Sequence, residues 1–306
     1  MDFYQQITAN KRKSWFLMIF FIIFIVGISW IFTLSLGYSQ QEQYGILTVF
    51  GIGAILFTLI SYFSGAKLAL SLNGAKQAPR EDDYLELHRI VENLAITAGV
   101  PKPQVYVIND SSPNAFATGR DPKNSAIAVS TGLLEILERN ELEGVIANEL
   151  SHIRNYDIRF MMLVAVLVGF VAILADFFQR TVFYGGARRS KSNSKGGRAI
   201  IIIALVISIL SPIIAKFIQL AISRKREYLA DASGAQLTRY PEGLAKALEK
   251  ISANDTSMKK AGTATAHLFI ASPFAKKKNK SWFKDWFSTH PNTENRIALL
   301  RGLETA

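Results

Sequence analysis

Hydrophobic and polar positions fall into two regimes along this chain. Uncharged apolar runs extend from Ser14 to about Gly37 and from Gly45 to Gly65. Each approaches or exceeds the roughly 20 residues that cross a bilayer as a helix, and the first exceeds a signal-peptide core of roughly 7–15, so an uncleaved anchor is expected. Two further apolar runs, Phe160–Phe178 and Ala199–Leu220, are interrupted by Asp176 and by Pro212 and Lys216. Elsewhere the periods are short. Glu81–Ala98 has the spacing of an amphipathic helix, stopped by Gly99-Val100-Pro101. Gln104–Ile108 and Ser125–Ser130 read as strands, a helix starts near Thr131, and another covers Leu142–Ile158. Helical patterns close the chain at Ser223–Leu237, Pro241–Ser252 and Asn292–Leu303, with a lysine-rich loop at Lys276–Lys280.

This pattern divides the chain into a short N-terminus (1–13), two transmembrane helices (14–65), a first water-facing part (66–159), a hydrophobic hairpin (160–220) and a second water-facing part (221–306). Lys11-Arg12-Lys13 before the first run, no Lys or Arg in Tyr38–Tyr44, and Lys67 after the second put the N-terminus and the water-facing parts on the cytoplasmic side. The loop Gly185–Arg198 is basic, which argues against its lying outside. The 160–220 hairpin is therefore read as embedded in the membrane rather than crossing it, with full crossing as the alternative.

Composition agrees with a membrane protein: 49% of the 306 residues are hydrophobic. There is no cysteine, which excludes disulfides, thiolate metal sites and cysteine nucleophiles. The formal charge of +11 suits basic flanks against anionic lipid. A nucleic-acid interface is not expected, because the cations lie beside apolar spans rather than among aromatics on one soluble face.

The chemistry concentrates at Asn148-Glu149-Leu150-Ser151-His152. In His-Glu-x-x-His on a helix, the two histidines share one face and hold Zn²⁺ while the Glu activates water. Here the Glu and the second His are present, and an amide stands at the first His position. Alone, Glu149 and His152 could equally be surface residues of an amphipathic helix. Glu227 and Asp231 lie four apart on one helix face, as a third metal ligand and its neighbour one turn on would, or as a solvated acidic face. His290, in Thr289-His290-Pro291-Asn292, sits at a helix mouth, where an imidazole could donate to an oxyanion or simply cap the helix. His88 reads as a surface residue, and His267 as an outside candidate for the missing ligand.

Together with Asn114-Ala115-Phe116-Ala117 and the two leading anchors, these elements resemble the HtpX-type membrane zinc metalloproteases, relatives of the CAAX-type endopeptidases. The resemblance runs from Lys11 to Arg296. It implies a mainly α membrane protein with a second hydrophobic hairpin and an α+β, zincin-like cytosolic protease domain containing a small sheet. It implies one Zn²⁺ held by His152, Glu227 and the residue at 148, with Glu149 as general base, Asp231 as partner of residue 148 and His290 as a transition-state or substrate contact. Asn114, Ala115, Phe116 and Ala117 would form an edge strand that pairs with an extended substrate. Misfolded membrane proteins would be the substrates, and the bacterial inner membrane the location, with the site facing the cytoplasm.

Asn148 qualifies that reading. A neutral amide is a poor zinc ligand, so zinc affinity and turnover are expected to fall while the fold survives. The change reads as an inactivating substitution, as the mark of a non-catalytic adaptor that binds substrates without cutting, or as a tolerated weakening of the metal site. A transporter, suggested by Asp176 and Lys216, is the more distant alternative.

Overall fold

The computed structural model describes residues 3–36, 38–81, 84–186, 224–262, 264–274 and 292–304. His290, the loop Lys276–Lys280 and the stretch 187–223, with the second arm of the expected hairpin, lie outside the described residues. Two helices, α1 (Phe3–Leu36) and α2 (Gln40–Leu72), are long and apolar enough to cross a membrane. The turn between them is set by Ser39, whose hydroxyl accepts from the Glu42 amide while the Glu42 carboxylate accepts from the Ser39 amide.

A four-stranded sheet follows, from β1 (Ala75–Gln77), β2 (Gln104–Ile108), β3 (Ala115–Asp121) and β4 (Asn124–Ser130), in the order β1-β2-β4-β3. β2 and β4 run parallel, and the other two pairings are antiparallel. The parallel pair was legible as two apolar runs; β1 is short and half exposed and carries no such pattern. Between β1 and β2 lies α3 (Leu85–Ala98), which is shorter at its start than the pattern suggested.

Both faces of the sheet are covered. Val105, Val107, Ala115, Ala117, Ile127 and Val129 pack into a core with α3 and with helix α5 (Arg139–Arg154), which follows the short α4 (Thr131–Ile136). On the opposite face, Phe116, Ala126 and Ala128 meet Ala69 and Leu70 of α2 and Met161 and Ala165 of α6 (Asp157–Gly186). The sheet is thus wedged between the motif-bearing helix and the apolar helices. α6 continues among them through Phe160, Leu163, Leu167 and Val171, packed with Leu17, Met18 and Phe21 of α1.

The single helix expected over Leu142–Ile158 is two helices. α5 stops at Arg154, and Tyr156 takes φ 60°, a left-handed conformation costly for a residue with a Cβ. The chain then restarts as α6. This break redirects Asp157, which a continuous helix would turn well away from His152.

Two further helices close around α5, α7 (Arg224–Thr238) and α8 (Pro241–Ala253), and α9 (Thr293–Glu304) packs against both of them. Glycines permit close approaches between these helices. A Cβ on Gly144 would lie 2.6 Å from the Leu244 amide nitrogen, and one on Gly234 would lie 3.0 Å from the Asn148 nitrogen. Gly234 therefore brings the carboxylate-bearing helix directly against residue 148.

Candidate metal centre

Asn148, Glu149 and His152 are all buried on α5, although the pattern pointed to only one apolar face. Glu227 and Asp231, on α7, are buried against them. The structure brings the imidazole and the first carboxylate together: His152 Nε2 lies 3.8 Å from Glu227 Oε1. The other ring nitrogen, Nδ1, is 3.1 Å from Asp157 Oδ2, so the ring is held from behind and Nε2 faces Glu227. Asn148 Nδ2 donates to Asp231 Oδ1 at 2.9 Å. Its Oδ1 is buried and has no hydrogen-bond partner among the described residues.

Arg296, on α9, completes the cluster. Its guanidinium is almost fully buried and forks onto Asp231, with Nε 2.8 Å from Oδ2 and Nη2 2.6 Å from Oδ1. Nη1 is 3.6 Å from Glu227 Oε2 and donates to the Ile270 carbonyl at 3.4 Å. The resemblance ends at Arg296, but spacing assigned no role to it or to Asp157. A buried cation was the missing inference, because two carboxylates and a glutamate packed together need a counter-charge.

The electrostatics follow from burial. Removal from water pushes the Glu149 carboxyl up to about 7, and nearby Glu227 adds to this, while His152, the Ala117 backbone amide and Arg296 oppose it. For His152, burial favours the neutral ring, but the Asp157 hydrogen bond and the charges of Glu227, Asp157 and Glu149 outweigh it and raise the imidazole to about 9. Burial also opposes the Arg296 charge, and Asp231 and Glu227 hold it firmly protonated. Glu149 is thus a carboxyl group able to take or give a proton near neutral pH.

The donor set fits a metal incompletely. An imidazole and a carboxylate converge, and beside them sits an amide oxygen without a partner among the described residues. Among the described residues, no three His, Cys, Asp or Glu side chains gather as a metal site. His267 does not make up the number, because its Nε2 lies 3.0 Å from the Met161 carbonyl. His88 is buried rather than at the surface, with Nε2 3.2 Å from the Ala78 carbonyl.

β3 is one of the two outer strands of the sheet, and Ala117 faces Glu149 through its amide. The open edge expected at Asn114, Ala115, Phe116 and Ala117 is, however, occupied by the chain itself. Phe116 bridges Phe269 in antiparallel fashion, and the Ile270 amide donates to the Ala115 carbonyl at 2.9 Å. The Asn114 side chain acts as one more rung: Nδ2 donates to the Ala271 carbonyl at 3.0 Å, and Oδ1 accepts from the Ala271 amide at 3.3 Å. The Phe116 and Phe269 rings meet edge to face with centroids 5.0 Å apart, which anchors the segment.

Comparison with known proteins gives these features a family. Residues 81–304 match the model of peptidase family M48. The protease HtpX homolog of Dictyoglomus turgidum is 45% identical over 302 residues, covering 98% of this chain and 94% of its own. That of Caldanaerobacter subterraneus is 44% identical over 304 residues, covering 98% and 97%. The homolog of Listeria monocytogenes is 43% identical over 310 residues, covering 98% and 99%. A crystal structure of S. mikatae Ste24p aligns with 90% of this chain and 61% of its own at a TM-score of 0.49 and 18% identity. With a family match across most of its length and relatives aligned nearly end to end, the chain belongs to peptidase family M48, as an HtpX-type membrane metalloprotease.

Proposed function

We propose that this chain is built as a membrane-anchored zinc endopeptidase whose metal site is weakened by Asn148. The observation that carries the reading is the convergence of His152 Nε2 and Glu227 Oε1, 3.8 Å apart, beside the buried Glu149 carboxyl. His152 and Glu227 would hold the ion, and Asn148 Oδ1 would be a weak third donor. Bound there, zinc would supply Lewis-acid polarisation of water and of the scissile carbonyl. Glu149 takes a proton from the attacking water and returns it to the leaving amine, a role suited to a buried carboxyl group beside the metal position. Arg296 and Asp231 hold α9, α7 and α5 together around these groups.

Substrates would be unfolded or misfolded membrane proteins, recognised through backbone rather than side chains. An extended segment would pair with β3 at Asn114–Ala117 in place of Phe269–Ala271. His290 would contact the substrate or its oxyanion. The location would be the bacterial inner membrane, and a site on its cytoplasmic side is supported by Lys11–Lys13 and Lys67 on either side of Tyr38–Tyr44, which has no Lys or Arg.

The test compares this chain with Asn148→His for zinc content by metal analysis and for cleavage of an unfolded protein. Zinc affinity and cleavage should rise by more than the roughly 10–100-fold associated with an outer partner, because a direct ligand is restored. Equal zinc content and equal cleavage in the two proteins would refute the weakened-site reading.

A further inference from the structure

The N-terminal helix reaches the candidate metal centre. Asn10 lies on α1 just before Lys11 and the first apolar run, and it is almost fully buried. Its Nδ2 donates to two acceptors at the break between α5 and α6: the Asn155 carbonyl at 2.9 Å and Asp157 Oδ1 at 2.7 Å. The other oxygen of the same carboxylate, Oδ2, meets His152 Nδ1 at 3.1 Å. Arg226, next to Glu227 on α7, stands 3.8 Å from Asp157 Oδ1 through its Nε.

We propose that Asn10 is a positioning residue for His152: through Asp157 it fixes the imidazole with Nδ1–H hydrogen-bonded and Nε2 turned toward Glu227. The metal role of His152 rests on the function proposed above; the orientation of its ring does not. Each part of this chain has a physical reason. The Asn155 carbonyl belongs to the end of α5, where carbonyls lack intrahelical partners, and an amide from another helix satisfies it. Asp157 is fully buried, so its carboxylate needs donors on both oxygens. With Oδ1 held by Asn10, Oδ2 is left aimed at His152. Lys11 reinforces the junction by placing Nζ 4.3 Å from the centre of the Tyr156 ring, the residue that carries the left-handed break.

The consequence is that His152 presentation depends on how α1 is seated. A protease domain without its first helix would lose the Asn10 donor to Asp157, even with all its own ligands intact.

The test uses the full chain in detergent micelles with ¹⁵N-labelled histidine, and it has two arms. In the metal-free protein, the His152 Nδ1–H proton is followed by NMR and assigned by its loss in His152→Gln. It should be exchange-protected in the parent and lose that protection in Asn10→Ala. Ser14→Ala serves as the packing control, since the Ser14 hydroxyl donates only to the Asn10 carbonyl in the same buried face. It should leave the signal in place. In the Asn148→His background, Asn10→Ala should lower zinc affinity about tenfold by chelator competition, at the low end of an outer-partner loss.

If Asn10→Ala does not fold, Asn10→Ser keeps one donor on a side chain too short for both acceptors and is read the same way. An unchanged Nδ1–H signal in a folded Asn10 variant overturns the proposal, and so does an equal loss in Ser14→Ala. Loss of the signal in Asn10→Ala, with no zinc bound even by Asn148→His, upholds the positioning role and removes the metal reading instead.

Discussion

Asp231 Oδ1 is shared by Asn148 Nδ2 at 2.9 Å and Arg296 Nη2 at 2.6 Å, so one carboxylate oxygen links the motif helix to the last helix of the chain. Arg296 is in contact with both Asp231 and Glu227. Replacing it with Met strips the forked counter-charge from buried Asp231 and removes one cation from beside Glu227. The expected loss is about 3–5 kcal/mol, read as a lowered midpoint or shortened half-life on heating in detergent. Arg296→Lys should rescue little, because one ammonium cannot reproduce the forked contact to both Asp231 oxygens.

The same shared oxygen sets the response of position 148. Asn148→Ala removes one hydrogen bond and should cost about 1 kcal/mol in the metal-free chain. Asn148→Asp is closer in shape, yet it turns the donor facing Asp231 into a second carboxylate. It should therefore destabilise more than Ala does, and thermal melts of the two variants at neutral pH check that order. An Asp variant as stable as Ala would mean that Arg296 absorbs both charges.

Glu149 gives a pH dependence of definite sign. Its folded value, about 7, stands above the ordinary 4.5, so the folded chain holds this proton more tightly than the unfolded chain. The associated stability is fully present below about pH 4.5 and is lost as pH rises through about 7, on the order of 3 kcal/mol at one pKa unit per 1.36 kcal/mol. Glu149→Gln removes that loss. In chelator-treated protein the variant should melt above the parent at pH 8 and close to it at pH 5. Parallel melting curves across that range would place the Glu149 carboxyl in a wetter setting than its burial indicates.

What the sequence revealed and what it hid divide along physical lines. The anchors α1 and α2, the parallel strands β2 and β4, and helices α7 and α8 were legible because each carries its own period or an uninterrupted apolar run. Glu149, His152, Glu227 and Asp231 were legible because local spacing puts each pair on one helix face. Arg296, Asp157 and Asn10 were not assigned roles, since their partners lie 65, 5 and 147 residues away along the chain and only the fold brings them near. The α5–α6 break was hidden for a related reason. Asn155 and Tyr156 sit inside a pattern that still reads as helical, and the turn between them is contacted by Asn10 and Lys11 of α1, which the local pattern does not show. The closed edge of β3 was also invisible, because its partner, Phe269–Ala271, has no strand period of its own.

That closed edge leads to the last prediction. The Ile270 amide donates to the Ala115 carbonyl, and the Ala271 amide to Asn114 Oδ1, in a segment whose Phe269 ring is fully buried against Phe116. Both amides should exchange slowly with solvent in the resting protein, as slowly as their neighbours in β4. Ile270→Pro deletes the first of these hydrogen bonds and should expose the second, raising exchange at Ala271 and lowering the melting midpoint. If an extended substrate pairs with β3 at Ala115, it must take the place of Ile270, and adding an unfolded protein should speed exchange at both amides. The measurement is best made on Glu149→Gln, which should bind without cutting. Unchanged protection at Ile270 under saturating substrate would move the substrate strand away from Asn114–Ala117 and make this pairing a permanent part of the core.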